Sequence, residues 1–94
     1  MSALLAVRVV ITGRVQAVWF RGWAMENAAR LGLDGWVRNR RDGSVEALFA
    51  GEPEAVERMV AACARGPQRA RVDRVERHPA EHDGVAGFRQ LPTA

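Results

Sequence analysis

Val7, Val9 and Ile11 alternate with Arg8, Val10 and Thr12, a period of two that predicts a strand with one face on a core. The spacing then changes. Phe20, Ala24, Ala28 and Leu31 fall on one helical face, so a helix is predicted from Gly22 to Leu31, with Gly32 where a left-handed stop would end it. Trp36 and Val37 predict a short second strand. Asp42-Gly43 supplies a turn, and Val45, Ala47 and Phe49 return as the third strand, with Asn39 near the start of this hairpin. Pro53 suits the first turn of a second helix, in which Val56, Met59, Val60 and Cys63 repeat at i, i+3, i+4 and i+7 until Gly66-Pro67 stops it. From Ala70 to His78, Val72 and Val75 stand three apart and fit neither period, so a strand is assigned there from its order in the chain. A last short strand is expected around Gly87 to Leu91, anchored by Phe88.

That order, β-α-β-β-α-β, predicts an α+β, ferredoxin-like sandwich: an antiparallel sheet with two helices on one face and an additional short edge strand. No repeat, linker or low-complexity segment interrupts it, so residues 1–94 are expected to form one domain. Met1 to Ala3 and Pro92 to Ala94 are expected to fray. With 94 residues and 48% hydrophobic content, such a domain buries roughly 60 to 70% of its unfolded surface and needs no disulfide staple. The single cysteine, Cys63, favours a reducing compartment, and no apolar run reaches membrane-spanning length. The opening segment is broken by Arg8 and has no basic residue before its apolar stretch, which argues against a leader and for the cytoplasm. The net charge of +3 arises from 14 arginines, with no lysine, against 11 acids. It favours anionic ligands without demanding nucleic acid. A Walker-type nucleotide loop is excluded, because its lysine does not exist here.

Chemistry concentrates in two segments. Gly13 to Arg21, GRVQAVWFR, carries the first strand into a small-residue loop and ends in a guanidinium at a helix start. Backbone N–H groups of such a loop, with a bidentate cation beside them, suit an oxyanion; an ordinary strand-to-helix turn with a surface arginine would look the same in isolation. Gly35 to Glu46, GWVRNRRDGSVE, adds a short apolar strand with Asn39 at its end and the Asp42-Gly43 turn.

Together the two segments resemble the signatures of the acylphosphatases, G-x-V-Q-G-V-x-F-R and G-W-V-x-N-x-x-D-G-x-V-E. The first is matched at Gly13, Val15, Gln16, Val18, Phe20 and Arg21, and the second at Gly35, Trp36, Val37, Asn39, Asp42, Gly43, Val45 and Glu46. One position departs: Ala17 stands where the family has its second loop glycine. The resemblance spans essentially the whole chain and implies the ferredoxin-like fold. It also implies hydrolysis of small acyl phosphates to carboxylate and inorganic phosphate, a scheme that requires no metal or cofactor. No nucleic-acid or membrane partner is expected, and the chain is expected to be a monomer. The N–H groups of Val15, Gln16, Ala17, Val18, Trp19 and Phe20 would surround the phosphate, and Arg21 would clamp it. Asn39 can accept and donate without taking a proton, which suits aiming a water. With no base nearby, the proton would leave through the substrate's own phosphate, as the resemblance implies. If the loop needs a positive φ at residue 17, alanine there costs about 1–2 kcal/mol. Trp19 is expected to pack beside the loop rather than on substrate.

Other candidates carry less. His78 and His82 flank a proline in what reads as a loop, which argues against a metal pair. Cys63 lies on an apolar helical stripe and reads as core. Ser44 has no nucleophile-elbow context, and Arg69, Arg71, Arg74 and Arg77, mixed with Asp73 and Glu76, read as a solvated face. The alternatives from other classes are an RNA-binding module, whose paired-aromatic stacking signature is missing, and a carrier that holds a phosphate compound without turnover.

Overall fold

The computed structural model describes residues 4–94. Along the chain run β1 (Leu5–Arg14), α1 (Phe20–Arg30), β2 (Asp34–Asn39), β3 (Val45–Gly51), α2 (Pro53–Cys63), β4 (Arg71–Pro79) and β5 (Phe88–Gln90). The sheet order is β4-β1-β3-β2-β5. β1 lies antiparallel to β3 and β4, and β2 antiparallel to β3, which is the ferredoxin-like arrangement the element order predicts. α1 starts at Phe20, two residues ahead of its expected start, and β2 extends beyond Trp36 and Val37 at both ends.

Register decides which residues reach the core. Val7, Val9 and Ile11 of β1 oppose Phe49, Ala47 and Val45 of β3, and all six are buried on the helix side with Phe20, Ala24 and Ala28 of α1 and Val56, Met59 and Cys63 of α2. Each of the larger side chains contributes about 1.5–3 kcal/mol by leaving water. The alternate residues face the open side of the sheet, where Glu46 accepts hydrogen bonds from Arg8 at 2.9 Å and Arg38 at 2.8 Å.

The irregular spacing of Val72 and Val75 has a geometric cause. Thr12 pairs with Arg74 but Gly13 pairs with Val72, so Asp73 is an extra residue in a β-bulge. The bulge restores Val72 to the face of Val75, and both pack against the core. β4 is an edge strand, and its exposed charges, including Arg77 paired with Glu57 of α2 at 2.7 Å, guard that edge against further pairing.

β5 pairs parallel to β2, so the sheet is mixed rather than wholly antiparallel. β4 ends at the end of the sheet where β2 begins, and a chain crossing there enters beside β2 in the same direction. Asp34, the first residue of β2, holds the crossing. Its carboxylate takes a hydrogen bond from His82 Nε2 at 2.9 Å and one from the Gly87 N–H at 2.7 Å. His82 Nδ1 accepts the Gly84 N–H at 2.7 Å, which places the ring hydrogen on Nε2. The His82 bond, then the Gly87 bond, hold the Asp34 carboxyl below its ordinary value. Beyond β5 the chain keeps to this path: the Leu91 N–H donates to Val37 O, the Ala94 N–H to Asn39 O, and the Arg41 N–H to Ala94 O. Residues 92–94 are therefore tied to β2, contrary to the fraying expected of them; Met1 to Ala3 lie outside the described residues.

Burial pushes the Cys63 thiol up to about 12, so almost no thiolate exists near neutrality. In the folded protein Cys63 is expected to resist a disulfide-exchange reagent at pH 8 for hours and to react within seconds in denaturant; rapid labelling of the native state would contradict its place in the core.

Candidate active site

β1 leaves the sheet at Gly13, whose φ of 128° and close approach to β4 exclude a side chain: a Cβ there would lie 2.2 Å from Arg71 O. The following loop alternates its side chains. Val15, Val18 and Phe20 are buried in the core, whereas Ala17 and Trp19 are exposed. Ala17 and Trp19 hold left-handed backbone conformations, with φ of 61° and 66°. The apolar plugs fix the loop to the core, and the two left-handed residues fold its backbone back between them. Among the described residues, no N–H from Gln16 to Gly22 donates to a protein acceptor, and the first bond of α1 runs from the Trp23 N–H to Trp19 O at 3.0 Å. α1 has no side-chain cap and no acid in its first turn. Its positive end is left for an anion.

Val15, Ala17 and the residues from Trp19 to Gly22 line a hollow of about 190 Å³, into which Asn39 and Gln90 also come. No carboxylate or imidazole lines it. Among the described residues Arg21 has no acidic partner, unlike Arg8, Arg38, Arg77 and Arg89. Asn39 is the last residue of β2 and stands opposite Val45, so strand alternation puts its side chain on the helix side with Gly35 and Val37. Its Oδ1 is buried without a hydrogen-bond partner. A buried unpaired carbonyl is costly in a folded protein, by about 1–3 kcal/mol, and such an atom points to a ligand or an ordered water.

One side chain joins the two segments. Gln16 Nε2 donates to Arg40 O at 2.7 Å and to Ser44 O at 2.8 Å, the carbonyls that also close the β2–β3 turn. Gln16 thus fixes the position of Asn39 relative to the loop. The sequence placed Gln16 among the backbone donors and gave no sign of this strut, because its partners are main-chain atoms. Asp42 stabilises the turn from within: Oδ1 accepts the Ser44 hydroxyl at 2.5 Å and the Ser44 N–H at 2.9 Å. These bonds, the hydroxyl first, hold the Asp42 carboxyl below its ordinary value. Gln90 was also missed, since only the parallel pairing of β5 brings it opposite Val37.

The remaining candidates fall elsewhere. Trp19 packs its indole across Gly22, where a Cβ would meet Nε1 at 2.1 Å, and it also lines the hollow. Ser44 spends its hydroxyl on Asp42. His78 pairs with Arg8 at the β1–β4 edge and His82 binds Asp34, and among the described residues no three metal-ligating side chains gather.

A free guanidinium and a run of unpaired N–H groups are donors of the kind that suit a tetrahedral oxyanion, and the unpaired carboxamide oxygen beside them is an acceptor suited to a water. The profile of one family, described as Acylphosphatase, matches residues 7–90. The chain belongs to the acylphosphatase family. Relatives named acylphosphatase include one from Nitrobacter hamburgensis, 56% identical over 92% of this chain and 93% of its own. Another, from Rhizorhabdus wittichii, is 52% identical over 95% and 90%. Among solved structures, the Bacillus subtilis acylphosphatase superposes with a TM-score of 0.89 at 32% identity, covering 95% of this chain and 99% of its own. That of Coxiella burnetii gives 0.89 at 30%, covering 94% and 93%. A full-length HypF shares the fold over 99% of this chain but only 12% of itself, at 22% identity and a TM-score of 0.90.

Two substitutions test how the acylphosphatase loop is held. Gln16→Ala is expected to lower stability by about 1–2 kcal/mol, since each carbonyl keeps its second donor; no change on chemical denaturation would deny the strut. In Ala17→Gly, relief of a left-handed alanine, about 1–2 kcal/mol, outweighs the added unfolded-state entropy and leaves a net gain of about 0.5–1 kcal/mol. A less stable variant would contradict the strain.

Proposed function

We propose that the chain hydrolyses the carboxyl–phosphate anhydride of small acyl phosphates, with Arg21 clamping the phosphate and Asn39 aiming the attacking water. The observation that carries this reading is the buried, unpartnered Asn39 Oδ1 beside the unpaired Arg21 in one hollow. An acyl phosphate is an activated anhydride with a stabilised carboxylate as leaving group, so catalysis reduces to positioning and charge stabilisation. The N–H groups of Val15 to Phe20 and the Arg21 fork take the equatorial phosphate oxygens and hold the charge that spreads over them. Asn39 Oδ1 accepts a hydrogen bond from a water and turns its lone pair to phosphorus. The new P–O bond forms as the bond to the acyl oxygen breaks. The electron pair leaves with the carboxylate. The water's proton passes to a phosphate oxygen, because no carboxylate or imidazole lines the hollow to receive it. The scheme calls for no metal or cofactor, since the leaving group needs no further activation.

In this reading residues 1–94 act as a single domain and as a cytoplasmic monomer. The large apolar side chains left exposed, Leu4, Trp19 and Val85, are few and lie apart in sequence. The one cysteine is buried and unpaired, and no helix of the described residues is long and apolar enough to cross a membrane. Nucleic acid has no part in it: on the open sheet face Glu46 occupies Arg8 and Arg38, and the Arg38 guanidinium lies 4.7 Å over the Trp36 ring.

With benzoyl phosphate as substrate, turnover is expected to be unchanged by a chelator. Arg21→Ala is expected to lose at least about 100-fold in kcat/KM, the scale of one strong anion-hole donor. Asn39→Ala is expected to fold, to keep inorganic phosphate as a competitive inhibitor, and to lose turnover. Activity like the unsubstituted protein's in either variant would defeat the role assigned to that residue.

A further inference from the structure

The hollow beside Arg21 has two kinds of wall. The loop and the first turn of α1 bring the donors that suit an oxyanion, and the sheet brings two carboxamide side chains, Asn39 and Gln90. Asn39 has a part in the hydrolytic scheme, whereas Gln90 has none. Its position is closely fixed all the same. Phe88, two residues earlier in β5, stacks on the buried Phe49 ring with centroids 5.5 Å apart, and strand alternation gives Gln90 the same helix-facing side. Gln90 stands opposite the buried Val37 in the parallel register of β5 on β2, one step behind Asn39 on that face. Main-chain bonds hold the chain just past it: the Leu91 N–H donates to Val37 O at 2.9 Å and the Ala94 N–H to Asn39 O at 3.0 Å. Arg89, on the opposite face, donates to Asp83 at 2.6 Å. Among the described residues no protein group hydrogen-bonds the Gln90 carboxamide.

We propose that Gln90 is a second residue that aims the attacking water, its Nε2–H donating to the water oxygen while Asn39 Oδ1 accepts from it. The inference rests on the hydrolase reading above and gives a task to a side chain that reading leaves idle. A single hydrogen bond to Asn39 leaves the water free to turn about that bond. In the scheme one proton of the water is held by Asn39 and the other passes to a phosphate oxygen, so both are engaged. Of its two lone pairs, only one can point to phosphorus. A donor on the other removes the remaining rotation and fixes the line of attack. Asn39 Oδ1 can only accept, and the loop N–H groups and the Arg21 fork are committed to phosphate oxygens. A carboxamide nitrogen supplies the missing donor, stays neutral and takes no proton. Gln90 meets the need on three counts. It comes from the same wall as Asn39, its side chain is one methylene longer and so makes up for standing one step back, and its amide has no protein partner to give up. Being exposed, it stands at the rim, where solvent reaches the hollow.

Gln90→Met keeps the length of the side chain and removes its donor, and because the residue is exposed the variant is expected to denature like the unsubstituted protein. With benzoyl phosphate its kcat is expected to fall about tenfold, the scale of one hydrogen bond, with KM unchanged. Two inhibitors separate holding the water from holding the phosphate. Inorganic phosphate fills the oxyanion position without an apical water, so its inhibition constant is expected to stay the same in the variant. Orthovanadate takes a fifth, apical oxygen where the water attacks and so resembles the transition state; its inhibition is expected to weaken about tenfold. A folded Gln90→Met variant with unchanged kcat would overturn the role. Equal weakening of both inhibitors would put Gln90 on the phosphate and overturn it as well. Either result leaves the hydrolase assignment intact, whereas failure of the unsubstituted chain to hydrolyse benzoyl phosphate would remove both.

Discussion

The whole site hangs on the anchoring of one short loop. Val15, Val18 and Phe20 plug into the core from a backbone that must then turn twice through left-handed conformations, at Ala17 and Trp19, neither of which is glycine. The anchors and the strain belong together. A loop held only by hydrogen bonds would relax those dihedrals, and its N–H groups would find carbonyls of their own. Held by buried side chains, each contributing about 1.5–3 kcal/mol, the backbone stays open and its donors stay unpaired. Stored strain at a binding loop, offset by packing elsewhere, is a recurrent price of preorganisation.

Preorganisation suits the chemistry assigned to the site. Phosphoryl transfer from an activated anhydride asks for little covalent participation, so rigidity in the donors is worth more than a nucleophile or a base. The sheet supplies the second half of the geometry. Strand alternation carries Asn39 to the helix side, and the Gln16 strut ties the β2–β3 turn to the loop through two main-chain carbonyls. Arg21, at the first turn of α1, therefore shares one hollow with a carboxamide fixed by a different pair of elements.

Much of this was legible in the sequence, for identifiable reasons. β1 and α2 could be read from periodicity because each presents an apolar face to the core and carries polar residues on the other. The two signature segments were legible because they combine glycines, which backbone approach requires at Gly13 and Gly35, with polar residues at fixed offsets. What was hidden depends on pairing. Val72 and Val75 look irregular until the bulge at Asp73 is known, and the parallel direction of β5 follows from where β4 ends rather than from any residue in it. The docking of residues 92–94 rests on main-chain bonds that composition does not reveal. Gln16 and Gln90 were overlooked as side chains for the same reason: the partners of one are carbonyls, and the other reaches the cradle only through strand order.

The central claim is that unpaired loop N–H groups and Arg21 together grip a tetrahedral oxyanion next to Asn39. The most direct measurement is a crystal structure of the protein grown or soaked in phosphate. The account predicts an anion seated between the Arg21 guanidinium and the N–H groups of Val15 to Phe20, with a water held between it and Asn39 Oδ1. An anion bound only at the exposed arginines of β4, with the loop donors turned onto protein carbonyls, would contradict it.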